Sequence, residues 1–205
     1  MLYIIDYGSG NLRSVQKAFE HVGARAEVGA DIDRLRGADG LVLPGVGSFG
    51  HAMDQLAARD LVEPILECVA AGVPFLGVCL GLQLLFPWSE ESPGVEGLGL
   101  LEGGVRRLPD RVRVPHIGWN QIDTMKDSEL LEGVDDGSAF YFVHSYAVAP
   151  AHPGDVLTVT EYGDMTFVSG VERDNLTAFQ FHPEKSSALG LRIYRNFARL
   201  VEEGR

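Results

Sequence analysis

The stretch Gly77-Val78-Cys79-Leu80-Gly81 decides the fold of this chain, because it places a cysteine at a sharp turn between two predicted elements. The apolar run Val73 to Val78 predicts a buried strand, and Leu80 to Phe86 predicts the first turns of a helix. Glycines on both sides permit the turn of a nucleophile elbow. We therefore expect Cys79 to be exposed at a helix N-terminus, where the free amides favour the reactive thiolate. The alternative is that Cys79 is a small buried hydrophobic residue.

A second segment supplies the groups that a nucleophilic thiol needs, and reads Phe179-Gln180-Phe181-His182-Pro183-Glu184-Lys185. His182 and Glu184 are two positions apart, so in extended chain both side chains project from one face. Pro183 between them fits the end of a strand. One group can take the thiol proton and later protonate a leaving amine, while the other orients the imidazole. Together with Cys79, these residues predict a cysteine-dependent amidohydrolase.

Composition narrows the class of protein. The chain has 205 residues, 45% of them hydrophobic, which predicts one domain over residues 1–205 with a substantial core. Its net charge of -12 argues against nucleic acid and anionic membranes as partners, and favours a small-molecule substrate. Of its two cysteines, Cys68 lies in an apolar helical pattern and is expected in the core. No Cys/His spacing fits zinc, so we expect no metal and no cofactor.

The sequence also predicts the cellular compartment of the protein. The N-terminus has no basic segment that leads into an apolar run, and Pro74 to Trp88 is too short and too interrupted by glycine to span a bilayer. Two cysteines do not make a disulfide framework. We expect a cytoplasmic protein.

The first half of the chain alternates strand and helix patterns. Leu2 to Ile5, Arg25 to Val28 and Gly40 to Leu43 read as strands, and Asn11 to Val22 and His51 to Ala71 read as helical. This predicts an α/β fold with a central, mostly parallel sheet flanked by helices. The second half predicts a smaller antiparallel sheet before a closing helix over Leu189 to Val201, from the strand candidates Val105 to Leu108, Gln121 to Thr124, Phe140 to His144, Val156 to Glu161, Thr166 to Val171 and Leu176 to Phe181.

The loop from Gly45 to Gly50 matches the glycine pattern of dinucleotide-binding folds. We disfavour that reading, because the loop follows the third predicted strand instead of the first and Pro44 precedes it. Its backbone amides can instead point at a developing oxyanion, together with the amide of Leu80. Gln83 lies one turn after Cys79, so we expect it within reach of a substrate. For His116 and His144 we expect structural roles.

The elbow and the His-Pro-Glu segment together resemble the class I (triad) glutamine amidotransferases. The resemblance implies their α/β fold and glutamine hydrolysis, with Cys79 as nucleophile, His182 as base and then acid, and Glu184 orienting His182. It also implies which residues form the oxyanion and substrate-binding site, namely Val46, Gly47, Leu80, Gln83, Ser145 and Tyr146.

Four further segments, at residues 6–15, 44–49, 115–120 and 142–146, resemble one branch of that family, the glutaminase subunits of imidazole glycerol phosphate synthase in histidine biosynthesis. Ile117 stands where methionine is more usual, a conservative departure. The resemblance implies a heterodimer with a (β/α)8-barrel cyclase subunit that receives the ammonia. It places four residues on the docking face, Asn11, Trp119, Tyr141 and Lys185.

Coupling to a partner predicts that the isolated subunit is restrained. Because glycine-flanked peptides reorient at little steric cost, we expect the Gly45 to Gly47 loop to present a productive oxyanion donor only when the cyclase holds its nucleotide. The sequence leaves open a glutaminase subunit of another pathway, a cysteine peptidase or redox-sensing relative, and a non-catalytic binding subunit.

Overall fold

The computed structural model describes residues 1–204. Its helices are α1 (Leu12–His21), α2 (Ile32–Arg36), α3 (Phe49–Ala57), α4 (Val62–Ala70), α5 (Leu80–Gln83) and α6 (Ser187–Glu202). Its strands are β1 (Leu2–Ile5), β2 (Ala26–Gly29), β3 (Gly40–Gly45), β4 (Phe75–Cys79), β5 (Gly103–Arg107), β6 (His116–Gln121), β7 (Asp123–Thr124), β8 (Ala139–His144), β9 (Tyr146–Pro150), β10 (Val156–Tyr162), β11 (Met165–Arg173) and β12 (Leu176–Phe179).

A ten-stranded sheet forms the centre of the fold, in the order β2-β1-β3-β4-β12-β11-β10-β7, with β9 pairing both β11 and β5. The pairs along β2, β1, β3, β4 and β12 are parallel. Strands β6 and β8 form a separate antiparallel sheet of two strands. The predicted α/β class, with its parallel centre and smaller antiparallel sheet, is confirmed. The other strands of the second half extend the large sheet instead of forming their own. They pair antiparallel with one another, and β12 also pairs parallel with β4.

Alternation along the central strands divides the core between the two faces of the sheet. Ile4 packs into a cluster with Val15 and Phe19 of α1, whereas its neighbour Ile5 packs into a cluster with Leu56 of α3 and Ile65 of α4. Such burial on both sides is what a continuous apolar strand requires. The helical stretch predicted from His51 to Ala71 is two helices, because the backbone turns at residue 60, where φ is 54°.

Three elements, α2, β6 and β9, were not predicted from the hydrophobic pattern of the sequence. Helix α2 is short, and its N-terminus is capped by the Asp31 carboxylate, which accepts the Arg34 amide at 2.9 Å. In β6 only His116 is buried, so the strand has no apolar alternation to detect. The strand expected over Gln121 to Thr124 is instead the last residue of β6 and the two residues of β7. Strand β9 was also missed.

The parallel strands bring three carboxyl ends to one edge of the sheet. Gly45 at the end of β3 is paired with Cys79 at the end of β4. Phe179 at the end of β12 is paired with Val78. Open α/β sheets bind ligands at this edge. The glycine loop, the elbow and the His-Pro-Glu segment therefore meet there.

Candidate active site

Cys79 lies at a strained turn between β4 and α5. Its φ of 55° and ψ of -106° are unusual for a residue with a side chain, and such strain is typical of a nucleophile elbow. A Cβ on Gly81 would overlap the Leu43 carbonyl oxygen, so only glycine lets α5 pack this closely on β3. The prediction that the Cys79 thiol is exposed was wrong. Cys79 is 7% exposed and lines a cavity instead of lying on an open surface.

His182 and Glu184 form a hydrogen-bonded pair, with 2.8 Å between Nδ1 and Oε1. Their side chains are only 2% and 1% exposed. The prediction that His182 and Glu184 lie in extended chain was wrong. Strand β12 ends at Phe179, and the residues from Pro183 to Lys185 form a 3-10 turn. This turn brings the carboxylate back onto the imidazole, so the pair forms through a turn and not across one face of a strand.

Burial and charge act in opposite directions on this pair. Burial alone would lower the pKa of His182, but the Cys79 side chain and the Glu184 carboxylate outweigh it and raise the pKa to about 10. Burial would raise the pKa of Glu184, and the imidazole and the Asn11 amide lower it instead. Within residues 1–204, the buried His182 Nε2 has no hydrogen-bond partner, so the approach of Cys79 is not a formed hydrogen bond. The charged form of the ring is favoured, with Nε2 available for proton transfer.

A cavity of about 330 Å³ joins the predicted residues. Cys79 and His182 line it together with all six predicted oxyanion and substrate residues, Val46, Gly47, Leu80, Gln83, Ser145 and Tyr146. Glu184 is not part of the lining and contacts the other side of the imidazole. The volume is within the usual range for a small-molecule site.

The glycine loop after β3 forms one wall of this cavity. Gly47 has a φ of 98°, which favours glycine, and Val46 is exposed. The Ser9 hydroxyl donates a hydrogen bond of 2.7 Å to the Val46 carbonyl. One peptide of the loop is therefore anchored by a side chain from the loop after β1.

The residues predicted for the docking face are close to the triad. Asn11 donates its side-chain amide to Glu184 Oε1 at 3.1 Å, so it does not cap α1. Trp119 and Tyr141 are cross-strand partners in β6 and β8, with ring centroids 6.2 Å apart. The Lys185 ammonium lies 5.6 Å from the centre of the Tyr141 ring. Trp119 is 54% exposed, which is unusual for so large an apolar side chain.

His116 and His144 form a relay of hydrogen bonds. The Tyr146 carbonyl only accepts, so His144 Nδ1 donates to it at 2.9 Å and His144 Nε2 accepts from His116 Nδ1 at 3.0 Å. Asn120 then donates to His116 Nε2 at 3.4 Å. Burial lowers the pKa of His116 to about 4 and that of His144 to about 3, so both rings stay neutral. These contacts agree with the structural roles expected for both, although His144 also lines the cavity.

Two side chains of the site were missed by the reading of the sequence. Glu91 lines the cavity, and its carboxylate accepts the Phe49 amide at 2.7 Å. Gln180 is fully buried and its amide nitrogen lies 3.7 Å from Cys79 Sγ. Glu91 is in a loop without any pattern, whereas Gln180 could have been suspected, since it is a polar residue between Phe179 and Phe181 in a buried segment.

Comparison with known proteins identifies the class. The model of the family "Glutamine amidotransferase class-I" matches residues 3–200, so the chain is a class-I glutamine amidotransferase. The imidazole glycerol phosphate synthase subunit HisH of Syntrophotalea carbinolica is 52% identical over 204 residues, covering 96% of this chain and 98% of that protein. The HisH subunit of Aquifex aeolicus is 53% identical over 201 residues, covering 98% and 97%. The chain belongs to this HisH family.

Solved structures agree on the fold. A crystal structure of a glutamine amidotransferase superimposes with a TM-score of 0.75 at 22% identity, covering 98% of both chains. The structure of PurLQS from Thermotoga maritima gives 0.72 at 18% identity, covering 98% of this chain and 97% of that one. At these identities the likeness concerns the fold alone.

Residues 1–204 have neither a candidate metal site nor a helix that could span a membrane. They contain no group of three or more His, Cys, Asp or Glu side chains placed to hold a metal ion. Nor does any helix in that range combine the length and the apolar character needed to cross a bilayer.

Proposed function

We propose that this chain hydrolyses glutamine to glutamate and ammonia at Cys79, and delivers the ammonia to a cyclase subunit that forms imidazole glycerol phosphate and aminoimidazole carboxamide ribonucleotide in histidine biosynthesis. The observation that carries the proposal is the arrangement at one edge of the sheet, where Cys79 and His182 line a cavity of about 330 Å³ and Glu184 contacts the imidazole from outside it. Relatives that are 52% and 53% identical and named for this synthase support the pathway.

In the first half of the reaction, the Cys79 sulfur attacks the side-chain carbonyl carbon of glutamine, and His182 Nε2 holds the thiol proton. The tetrahedral intermediate collapses when His182 gives that proton to the leaving nitrogen, so ammonia departs and a glutamyl thioester remains. In the second half, His182 takes a proton from water, which attacks the thioester and releases glutamate. Glu184 keeps Nδ1 protonated and the ring oriented throughout.

The negative charge on the intermediate needs donors at the cavity wall. We assign this role to the backbone amides of Leu80, at the start of α5, and of Val46 or Gly47 in the glycine loop. Ser9 holds the Val46 carbonyl, so the loop has one anchored peptide between its glycines. This arrangement is compatible with a donor that becomes productive only when the partner is bound.

The cavity also has groups suited to the two ends of glutamine. Among the lining residues within 1–204, Glu91 is the only acidic one, and a carboxylate suits the α-ammonium group. Gln83, Ser145 and Tyr146 supply polar groups for the rest of the substrate. Both Gln83 N–H bonds are used within the protein, to the Tyr146 carbonyl and to Gln180, which leaves its Oε1 as the polar atom for a ligand.

We assign docking of the cyclase, a (β/α)8 barrel, to the face that carries Trp119, Tyr141, Lys185 and Asn11. An exposed tryptophan beside an aromatic and a cation is typical of the centre of an interface. Direct transfer keeps ammonia as a nucleophile, because in water it becomes mostly ammonium, which has no lone pair. We further propose that residues 1–205 act as one glutaminase domain in the cytoplasm, where Cys68 and Cys79 stay reduced thiols.

The test measures glutamate release from glutamine by the purified chain, alone and with the cyclase subunit and its nucleotide. We expect strong stimulation by the complex, and its loss in Cys79→Ala. Cys68→Ala is the matched control, because this second thiol lies in α4 outside the cavity. Hydrolysis without stimulation would support glutamine hydrolysis by this chain and refute the cyclase as its partner. Cleavage of peptides without any response to glutamine would favour a cysteine peptidase, and an active Cys79→Ala would refute the nucleophile.

A further inference from the structure

Gln180 holds a position next to the reacting sulfur that none of the roles above explains. It follows the last residue of β12, and its backbone amide donates to the Ser169 carbonyl at 2.8 Å. Its side chain is fully buried. A buried primary amide needs partners for both its oxygen and its nitrogen, since an unpaired polar atom there costs about 1–3 kcal/mol.

The orientation of this amide follows from its neighbours. The Tyr146 carbonyl accepts only, so Gln83 must present its NH2 group at 3.1 Å. The same nitrogen lies 3.1 Å from the Gln180 side chain, so Gln180 must present its oxygen there. The nitrogen of Gln180 is thereby directed at Cys79 Sγ, 3.7 Å away. Reversing either amide would set donor against donor or acceptor against acceptor.

The Cys79 sulfur has a second neighbour, which favours the protonated thiol instead of the thiolate. The Val143 carbonyl lies 3.9 Å from Sγ and can only accept, so it stabilises the protonated thiol. An N–H donor stabilises the thiolate instead, because it interacts with the negative charge. The Gln180 amide is the side-chain donor that offsets the Val143 carbonyl.

We propose that Gln180 is a further catalytic residue, which donates its side-chain N–H to the Cys79 thiolate and is held in that orientation by Gln83. The proposal rests on the proposed function, and it deepens that function by adding a second stabilising group beside His182. Because Gln83 contacts both Gln180 and the cavity, the residue that meets the substrate also fixes the donor to the nucleophile.

The test separates thiol chemistry from turnover. The rate of alkylation of Cys79 by iodoacetamide is followed by mass spectrometry of its peptide, as a function of pH and without glutamine. In Gln180→Met the donor is lost, and we expect the midpoint of the pH profile to rise by about one pH unit, the effect of about 1.4 kcal/mol on one protonation state. We expect kcat for glutamine, measured with the cyclase subunit, to fall about tenfold with KM changed less than threefold.

Two further variants keep the result decisive. Gln180→Asn remains polar but is one methylene shorter, so it should also raise the midpoint, and it decides the outcome if Gln180→Met does not fold. Gln16→Met is the matched control, because the Gln16 side-chain amide donates a hydrogen bond within the protein, to the Ala26 carbonyl at 3.1 Å, but on α1 away from the cavity. An unchanged midpoint in folded Gln180 variants would overturn the inference. If the parent chain in complex with the cyclase subunit and its nucleotide releases no glutamate at all, the proposed function fails, whatever the alkylation profile.

Discussion

Replacement of Glu184 by glutamine removes a charge and leaves the shape of the triad intact. A glutamine oxygen can still accept the His182 Nδ1 hydrogen, which Glu184 accepts at 2.8 Å, and the Asn11 amide at 3.1 Å. What is lost is the attraction between carboxylate and imidazolium. For charges about 4 Å apart at an effective dielectric constant of about 20, this attraction is about 4 kcal/mol. Since the imidazolium forms as the thiol is deprotonated, we expect kcat to fall about a thousandfold.

The assay for this variant is steady-state glutamate release by the complex with the cyclase subunit and its nucleotide. KM for glutamine should change by less than about threefold, because Glu184 does not line the cavity and a group without substrate contact has little effect on ground-state binding. Glu63→Gln, an exposed glutamate on α4, is the matched control and should retain full activity. A fall in kcat of less than tenfold would refute the role of the carboxylate.

The same variant should change how stability depends on pH. In the parent chain the pKa of His182 is raised to about 10, from 6.5. A raised pKa stabilises the folded state fully below about pH 6.5, and this stabilisation is lost as the pH rises towards 10. Because Glu184 contributes to that shift, Glu184→Gln should lose less stability over this interval. Urea titrations at several pH values measure the difference, and parallel curves for the two proteins would contradict the coupling.

Three other substitutions test separate parts of the site. Asn11→Ala removes a hydrogen bond to the Glu184 carboxylate and should lower kcat of the complex about tenfold, the effect of about 1.5 kcal/mol. An unchanged kcat would show that this hydrogen bond does not contribute to catalysis. Trp119→Ala should weaken binding of the cyclase subunit at least tenfold in a titration. An affinity equal to that of the parent chain would contradict this role of Trp119. Gly81→Ala should cost about 3 kcal/mol of unfolding free energy in urea, because its methyl group meets the Leu43 carbonyl, and a stability equal to the parent would contradict that packing.

Much of the fold is readable because strong local patterns agree with the tertiary structure. Strand β1 was predicted with its observed limits, since four apolar residues in a row are buried on both faces of the sheet. The elbow at Cys79 was predicted from its glycines, and the phi angle of the cysteine agrees with that turn. Strand β6 was missed because only His116 is buried, so its pairing with β8, and not an apolar pattern, defines it.

The active-site chemistry was readable only in part. Cys79 was found from the glycines that flank it, and His182 and Glu184 from their spacing around Pro183. The cavity brings Cys79 and His182 together with the six residues inferred from resemblance. Gln180 and Glu91 were not found, because glutamine and glutamate are common and only three-dimensional contacts distinguish these two. The exposed thiol was predicted wrongly, since the local turn does not indicate the loops that surround it.

The central claim is that Cys79 carries the glutamyl group. Rapid quenching of the complex during turnover, followed by mass spectrometry of its peptides, measures this most directly. We predict a glutamyl thioester on the peptide that contains Cys79, present while glutamine remains and absent in Cys79→Ala. Glutamate release at the normal rate without any adduct on that peptide would contradict the account.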